Sequence, residues 1–468
     1  MSKLEKVYDS EEFRKSGHAL VDMLADDLKA NLDRTNEKVI DFIDPDQNYQ
    51  NWSDRSFADP VEYFKAVMEN SIKLQHPRYI GHQVSAPAPL AVLAGFEGLM
   101  LNSGGAIYEM SAASSTLEKV LIDRLKPYFG LDEGDGIVTS GGTLSNLTAL
   151  ICARNVKASE DVWNVGQKEK YAFMVSEEAH YCIDRAVRVM GWGDAGVIKI
   201  PVDNQYTMRV DLLGDYYHKA QRDGIKVLGV VGSAPTTSTG IYDDLLAIGS
   251  FCREKDLWFH IDAAHGGPAV FSEKYKHLMD GCHLADSITV DAHKMMMTPS
   301  LTTMLFFAES HNSYRTFAQK AQYLWSAGDE EWFNYGKRTM ECTKIMLSVR
   351  LYALIAIYGM EIFDEYLTKC YDMGRRFGEL LKADEHFELA VLPQSNIVCF
   401  RVKGENKEQT NQNNINIRRA LLEDGRFYIV QTVLKELVYL RVSIMNPFTE
   451  EKDLNELIAT IKKIIAFG

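Results

Sequence analysis

The sequence predicts an α/β protein: a large domain on a mainly parallel sheet, with a helical N-terminal arm and a small α+β C-terminal domain. Three observations carry this. Between about residues 90 and 310, short β-rich runs alternate with helical segments, the pattern of parallel strands joined by crossover helices. Up to residue 70, apolar residues recur at helical spacing. Past about residue 340, long helical stretches and separate β-rich runs replace the alternation. The expected domains are therefore an arm over 1–70, a large domain over 71–345 and a small domain over 346–468.

In the arm, Phe13, Ala19-Leu20, Val21 and Met23-Leu24 follow the helical period, and Asp44-Pro45-Asp46 and Asp59-Pro60 read as turn or N-cap signals. Such a segment has little core of its own and is expected to lie against something else. In the large domain, the run 136–140 leads into a helix over 143–156, and the run 171–176 into a helix starting near Glu178. Three more strands are expected over 226–231, 257–261 and 287–290. Helices over 342–358 and 365–383 follow, then strands near 396–402 and 438–444, and a closing helix from Thr449.

Composition sets outer limits. A chain of 468 residues with 46% hydrophobic and 25% charged content can bury a large core and is too apolar to be disordered. Its 51 Lys+Arg against 65 Asp+Glu leave a net charge of −14, which argues against nucleic acid or an anionic membrane as partner. Seven scattered cysteines with no C-x-x-C spacing read as core thiols of a reducing compartment. With no apolar leader at the start and no stretch of membrane-spanning length, the expected location is cytoplasmic.

Ligands of parallel α/β folds sit beyond the carboxyl ends of the strands, so the residues just after each run matter most. Ser140-Gly141-Gly142-Thr143 follows a strand and opens a helix. Small residues there let backbone N–H groups approach an anion, so the block reads as a phosphate cradle or, taken alone, as a simple Gly-rich turn. His180 offers a flat ring to a flat ligand, or else caps the next helix. In His260-Ile261-Asp262-Ala263-Ala264-His265 two readings compete: a metal site, or Asp262 alone facing a protonated ring nitrogen. Against metal, His265 lies beyond the strand that carries the other two, and no clear fourth ligand follows. Lys294, just past the strand 287–290, is either a snorkelling surface lysine or a desolvated amine able to form a Schiff base. Together, a phosphate cradle, a flat histidine, a buried aspartate and such a lysine are what pyridoxal 5′-phosphate (PLP) requires.

In this combination the chain resembles the group II PLP-dependent amino-acid decarboxylases, which act on glutamate, cysteine sulfinate, diaminobutyrate or aromatic amino acids. The matching blocks are Ser140-Gly-Gly-Thr-Leu-Ser-Asn, Glu178-Ala-His180-Tyr, His260-Ile-Asp262-Ala-Ala-His-Gly-Gly and Asp291-Ala-His293-Lys294. The resemblance implies the aspartate-aminotransferase-like fold (PLP fold type I) and a homodimer with active sites at the interface. It gives Lys294 the covalent link to the cofactor, Asp262 the pyridine nitrogen, and His180 and Ala264 the two ring faces. Gly142, Thr143 and His293 would hold the phosphate, and Ser233 would lie near the ring's edge.

Further positions bear on the reaction. Tyr323 matches a loop tyrosine that protonates the carbon losing CO2, and a Phe there would favour aldehyde; Tyr points to plain decarboxylation. Arg441 matches the arginine that holds the substrate α-carboxylate. His82-Gln83 stands where aromatic decarboxylases have Tyr-Phe, so a polar substrate is expected, glutamate- or aspartate-like or diaminobutyrate-like. The alternatives are an aromatic decarboxylase, a PLP-dependent aldehyde synthase or a carbon–carbon lyase.

Overall fold

The computed structural model describes residues 2–317 and 331–467. They fold into two compact units, one of residues 83–375 with 391–398, the other of residues up to 82 with 376–390 and 399–468. This division crosses the three consecutive domains expected above, and hydrogen bonds of the residues up to 82 give the reason. Within the second unit Arg34 pairs with Asp453 at 2.7 Å, the Thr449 hydroxyl donates to the Pro77 carbonyl at 2.6 Å, and the Ser443 N–H donates to the Ile80 carbonyl at 2.7 Å. The segment up to residue 82, arm included, is thus stitched to the C-terminal segment.

The larger unit is built on seven strands: β1 (Asp135–Thr139), β2 (Lys170–Ser176), β3 (Val197–Ile200), β4 (Ile225–Ser233), β5 (Trp258–Asp262), β6 (Ser287–Asp291) and β7 (Thr303–Phe307). Their order is β1-β7-β6-β5-β4-β2-β3, with β7 antiparallel to both neighbours and the remaining pairs parallel. Since β7 runs against both β1 and β6, those two point the same way. The carboxyl ends of β1, β2, β4, β5 and β6 therefore open on one edge of the sheet. β1, β5, β6 and β7 are buried along their whole length, the signature of a sheet covered on both faces.

β3 and β7 were not among the expected strands. The expected helix over 342–358 begins only at Ser348. The reason is Lys344, whose ammonium is drawn into the core to meet Glu118 and the Val138 carbonyl, both at 2.6 Å. A helical turn there would have to give up this buried pair. The second sheet has the order β10-β11-β9-β8, from β8 (Phe387–Leu389), β9 (Ile397–Val402), β10 (Val430–Leu434) and β11 (Leu437–Ser443). In the arm, the Asp44 and Asp59 side chains do cap the helices Pro45–Ser53 and Pro60–Glu69, satisfying N–H groups that a helix start leaves open. Six of the seven cysteines are buried, Cys342 is exposed, and no disulfide joins any of them. Among the described residues, no helix is long and apolar enough to cross a membrane.

Candidate active site

The shared edge of the sheet carries a cavity of about 240 Å³. The segment after β1 supplies Ser140 to Thr143, that after β2 His180 and Cys182, β4 ends on Ser233, β5 on Asp262, and β6 on Asp291 followed by His293 and Lys294. Of the residues singled out in the sequence, Gly142, Thr143, His180, Ser233, Asp262, Ala264, His293 and Lys294 all line it.

Each wall has a local cause. Gly141, at φ 113°, turns the chain from β1 into the helix Gly142–Lys157, a conformation open to glycine alone at no steric cost. The first N–H groups of that helix have no side-chain cap, so they remain available to an anion. His180 is the N-cap of the helix Tyr181–Val189, its Nδ1 accepting the Cys182 N–H at 3.3 Å. Capping fixes the ring at the cavity's rim, so the two sequence readings of His180 coexist. Burial draws its pKa below the usual imidazole value, with Asp262 partly opposing.

Lys294 departs from the expectation of a depressed lysine. Burial does oppose its charge, but Asp291 and then Asp262 outweigh it and hold the ammonium above its ordinary pKa. The Nζ lies 3.0 Å from Asp291 Oδ2. Burial likewise opposes ionising Asp291, yet Lys294 and His293 hold its carboxyl below the usual range. The sequence reading quoted Asp291 without giving it a role. The signal was its position three residues before Lys294, one helical turn away.

The metal reading of residues 260–265 is not supported. His260 points into the core, its Nδ1 on Ser287 Oγ at 2.8 Å and its Nε2 on Asn146 Oδ1 at 2.9 Å, which occupies both ring nitrogens. His265 Nε2 meets Asn396 Oδ1 at 2.8 Å. His180, Cys182 and Asp262 do bring one ligand-type atom each within 4.8 Å of one another. Burial pushes the Cys182 thiol up to about 12, as befits a core thiol.

His82 and Arg441 belong to the other compact unit, where His82 is exposed and Arg441 buried; Gln83 belongs to the larger one. Tyr323 lies outside the described residues.

Anion-ready amides, a mostly buried amine, a carboxylate and a flat ring in one cavity define an enzyme site shaped for a phosphorylated, aldehyde-bearing cofactor. The residues present fit PLP. The chain belongs to the pyridoxal-dependent decarboxylase family, whose conserved domain matches residues 60–403. It is 29% identical over 345 residues to the L-aspartate decarboxylase dtxS4 of Metarhizium robertsii, covering 73% of this chain and 69% of that one. It is also 29% identical over 416 residues to the L-2,4-diaminobutyrate decarboxylase of Acinetobacter baumannii, covering 84% and 81%. The fold matches mouse CSAD in apo form with a TM-score of 0.91 at 23% identity, over 97% of this chain and 99% of the other. The protein is a PLP-dependent amino-acid decarboxylase, a carboxy-lyase.

Proposed function

We propose that the protein removes the α-carboxylate of a polar L-amino acid, and that this substrate is acidic, aspartate- or glutamate-like, and not a diamine. The observation that carries the acidic reading is the surroundings of His82. Burial, then the cations Arg441 and Arg418, draw its pKa below the ordinary imidazole value. A second ammonium would meet the same two cations unfavourably, whereas a second carboxylate gains from them. Gln83 adds to this, since its side-chain Nε2 is buried without a hydrogen-bond partner among the described residues. An orphaned donor favours a ligand that accepts. The two relatives, acting on aspartate and on 2,4-diaminobutyrate, support the polar class.

The residue roles are those the family resemblance implies, at positions that line one cavity. Gly142 and Thr143 offer backbone N–H groups to the phosphate, with His293 beside them. Lys294 would supply the amine for the covalent link, and Asp262 would keep the pyridine nitrogen protonated. His180 and Ala264 would flank the ring, and Ser233 would lie at its edge. PLP, when bound, supplies the electron sink for the departing CO2. Arg441 presents a bidentate fork to the α-carboxylate, and Tyr323 delivers a proton to the carbon that has lost CO2.

We further propose a homodimer with its active sites at the interface. The helix Pro89–Leu101 exposes Leu93, Phe96, Leu99, Met100 and Leu101 to between 47% and 64%, an apolar face that calls for a cover. Sedimentation at micromolar concentration tests this, and a monomer overturns it. The substrate is tested by CO2 release from PLP-loaded protein with aspartate, glutamate, cysteine sulfinate, diaminobutyrate and aromatic amino acids. Release from a dicarboxylic member is expected. Release from diaminobutyrate or aromatics alone overturns the acidic reading.

A further inference from the structure

The segment from Arg338 to Lys344 is pinned along β1 at both ends. Fully buried Arg338 pairs with Asp135 at 2.7 Å, and Lys344 meets Glu118 and the Val138 carbonyl, both at 2.6 Å. Between these anchors the Thr339 hydroxyl donates to the Glu341 carbonyl at 2.8 Å. Glu341 is thereby delivered to the carboxyl end of β1. There its Oε1 accepts the hydroxyl of Ser140, which lines the cavity next to Gly141 and Gly142.

Two carboxylates therefore stand against the phosphate cradle, and they differ. Asp291, on the Gly142 side, is balanced by Lys294 at 3.0 Å. Glu341, on the Ser140 side, has no such balance among the described residues: its Oε2 is buried and accepts no hydrogen bond, and no cation pairs with it. Lys344, three residues on, is already spent on Glu118, as Arg338 is on Asp135. Among the described residues one other carboxylate oxygen is buried and open, on Asp135, and that carboxylate is neutralised by Arg338. An unneutralised carboxylate out of water is costly, and an arriving phosphate of about −2 charge raises the cost.

We propose that Glu341 sets how firmly the cofactor is held: standing behind Ser140, it weakens the grip of the cradle on the phosphate and keeps PLP exchangeable. It acts in two ways. Its charge opposes the phosphate, and its hold on the Ser140 hydroxyl withholds a donor that the phosphate would otherwise receive. The proposal rests on the phosphate position at Gly142 and Thr143 given above. A residue that only braced the fold would act with the opposite sign, since its loss would loosen the cofactor.

The test is absorbance titration of cofactor-free wild type, Glu341→Gln, Glu341→Ala and Glu341→Asp with PLP and with pyridoxal, which lacks the phosphate. Glu341→Gln keeps an acceptor for Ser140 and loses only the charge. Its PLP Kd falls about tenfold (about 1.4 kcal/mol), its loaded form releases PLP more slowly on dialysis, and its pyridoxal Kd stays within about twofold. Glu341→Ala, which also frees the Ser140 hydroxyl, tightens PLP at least as much. Glu341→Asp, which keeps the charge, stays near wild type. A PLP Kd unchanged or raised in the neutral variants that fold overturns the proposal, and so does tightening shared equally by pyridoxal. Gly142→Ala separates the proposal from its premise. If that variant keeps wild type's preference for PLP over pyridoxal, the phosphate lies elsewhere and the premise falls, taking the proposal with it. If it loses the preference while Glu341→Gln changes nothing, the proposal alone falls.

Discussion

Asp291 and Lys294 face each other at 3.0 Å across one turn, the carboxylate almost wholly buried and the ammonium mostly so. Each holds the other in its charged form against burial. Asp291→Asn removes the largest of the groups that raise the Lys294 pKa and leaves burial opposed chiefly by Asp262, so its pKa falls. The pH profile of amine-reactive labelling at Lys294, read by peptide mapping of cofactor-free protein, therefore moves to lower pH in the variant. An unmoved profile would mean that Asp262 alone sets the amine. The stability consequence has two edges. The Lys294 contribution is lost as pH rises through its raised folded value, and the Asp291 contribution as pH falls through its lowered one. Asp291→Asn removes both.

Gly142 meets the same carboxylate from the cradle side. A Cβ at position 142 would stand 2.9 Å from both Asp291 oxygens. Gly142→Ala must push Asp291 away or shift the first turn of the helix, at a cost of about 1–3 kcal/mol. The expected result is a lower melting temperature and PLP affinity weakened by about tenfold, measured by absorbance titration. Unchanged affinity would remove the first turn from the phosphate cradle.

His260 gives a prediction of acid sensitivity. Its pKa is lowered to about 3 by burial, against about 6.5 for a free imidazole. Between those values the unfolded chain binds a proton that the folded chain refuses, so stability rises with pH across that window and is lost as pH falls. His260→Gln removes this term. Its urea midpoint should drop less than wild type's between pH 7 and pH 5, by the equivalent of about 2 kcal/mol. At pH 7 the variant is itself weaker, because Asn146 and Ser287 lose a partner. Equal acid sensitivity of the two proteins would place the titration elsewhere.

Much of the cavity was readable because each of its parts follows a strand whose apolar run is local information. Gly142, His180, Asp262 and Lys294 stand out one after another once the strand ends are marked. β3 and β7 were not readable on those terms, and β7 is recognisable mainly by its neighbours, filling the gap between β1 and β6. The helix expected from residue 342 failed because Lys344 has a distant partner, Glu118, that no window around it contains. The sequence also suggests the wrong sign for Lys294, since burial is legible locally but the orientation of Asp291 is not.

Under the role proposed for it, Tyr323 decides between two products. After CO2 leaves, the substrate carbon must take a proton before anything else attacks it, and a phenol positioned there can supply one. Phenylalanine fills nearly the same volume without the hydroxyl, so Tyr323→Phe leaves binding intact and removes only the proton. Loss of a positioned acid typically slows the step by about 10²–10⁴-fold. Amine yield from the preferred substrate should fall accordingly and aldehyde appear in its place, with dissolved O2 as the oxidant, reduced to H2O2, and ammonia released, and with KM little changed. Chromatographic analysis of both products under identical aeration separates the routes. Undiminished amine with no aldehyde would remove Tyr323 from the chemistry, and would leave the proton to Lys294, the remaining protonated group that the cavity places beside Asp291.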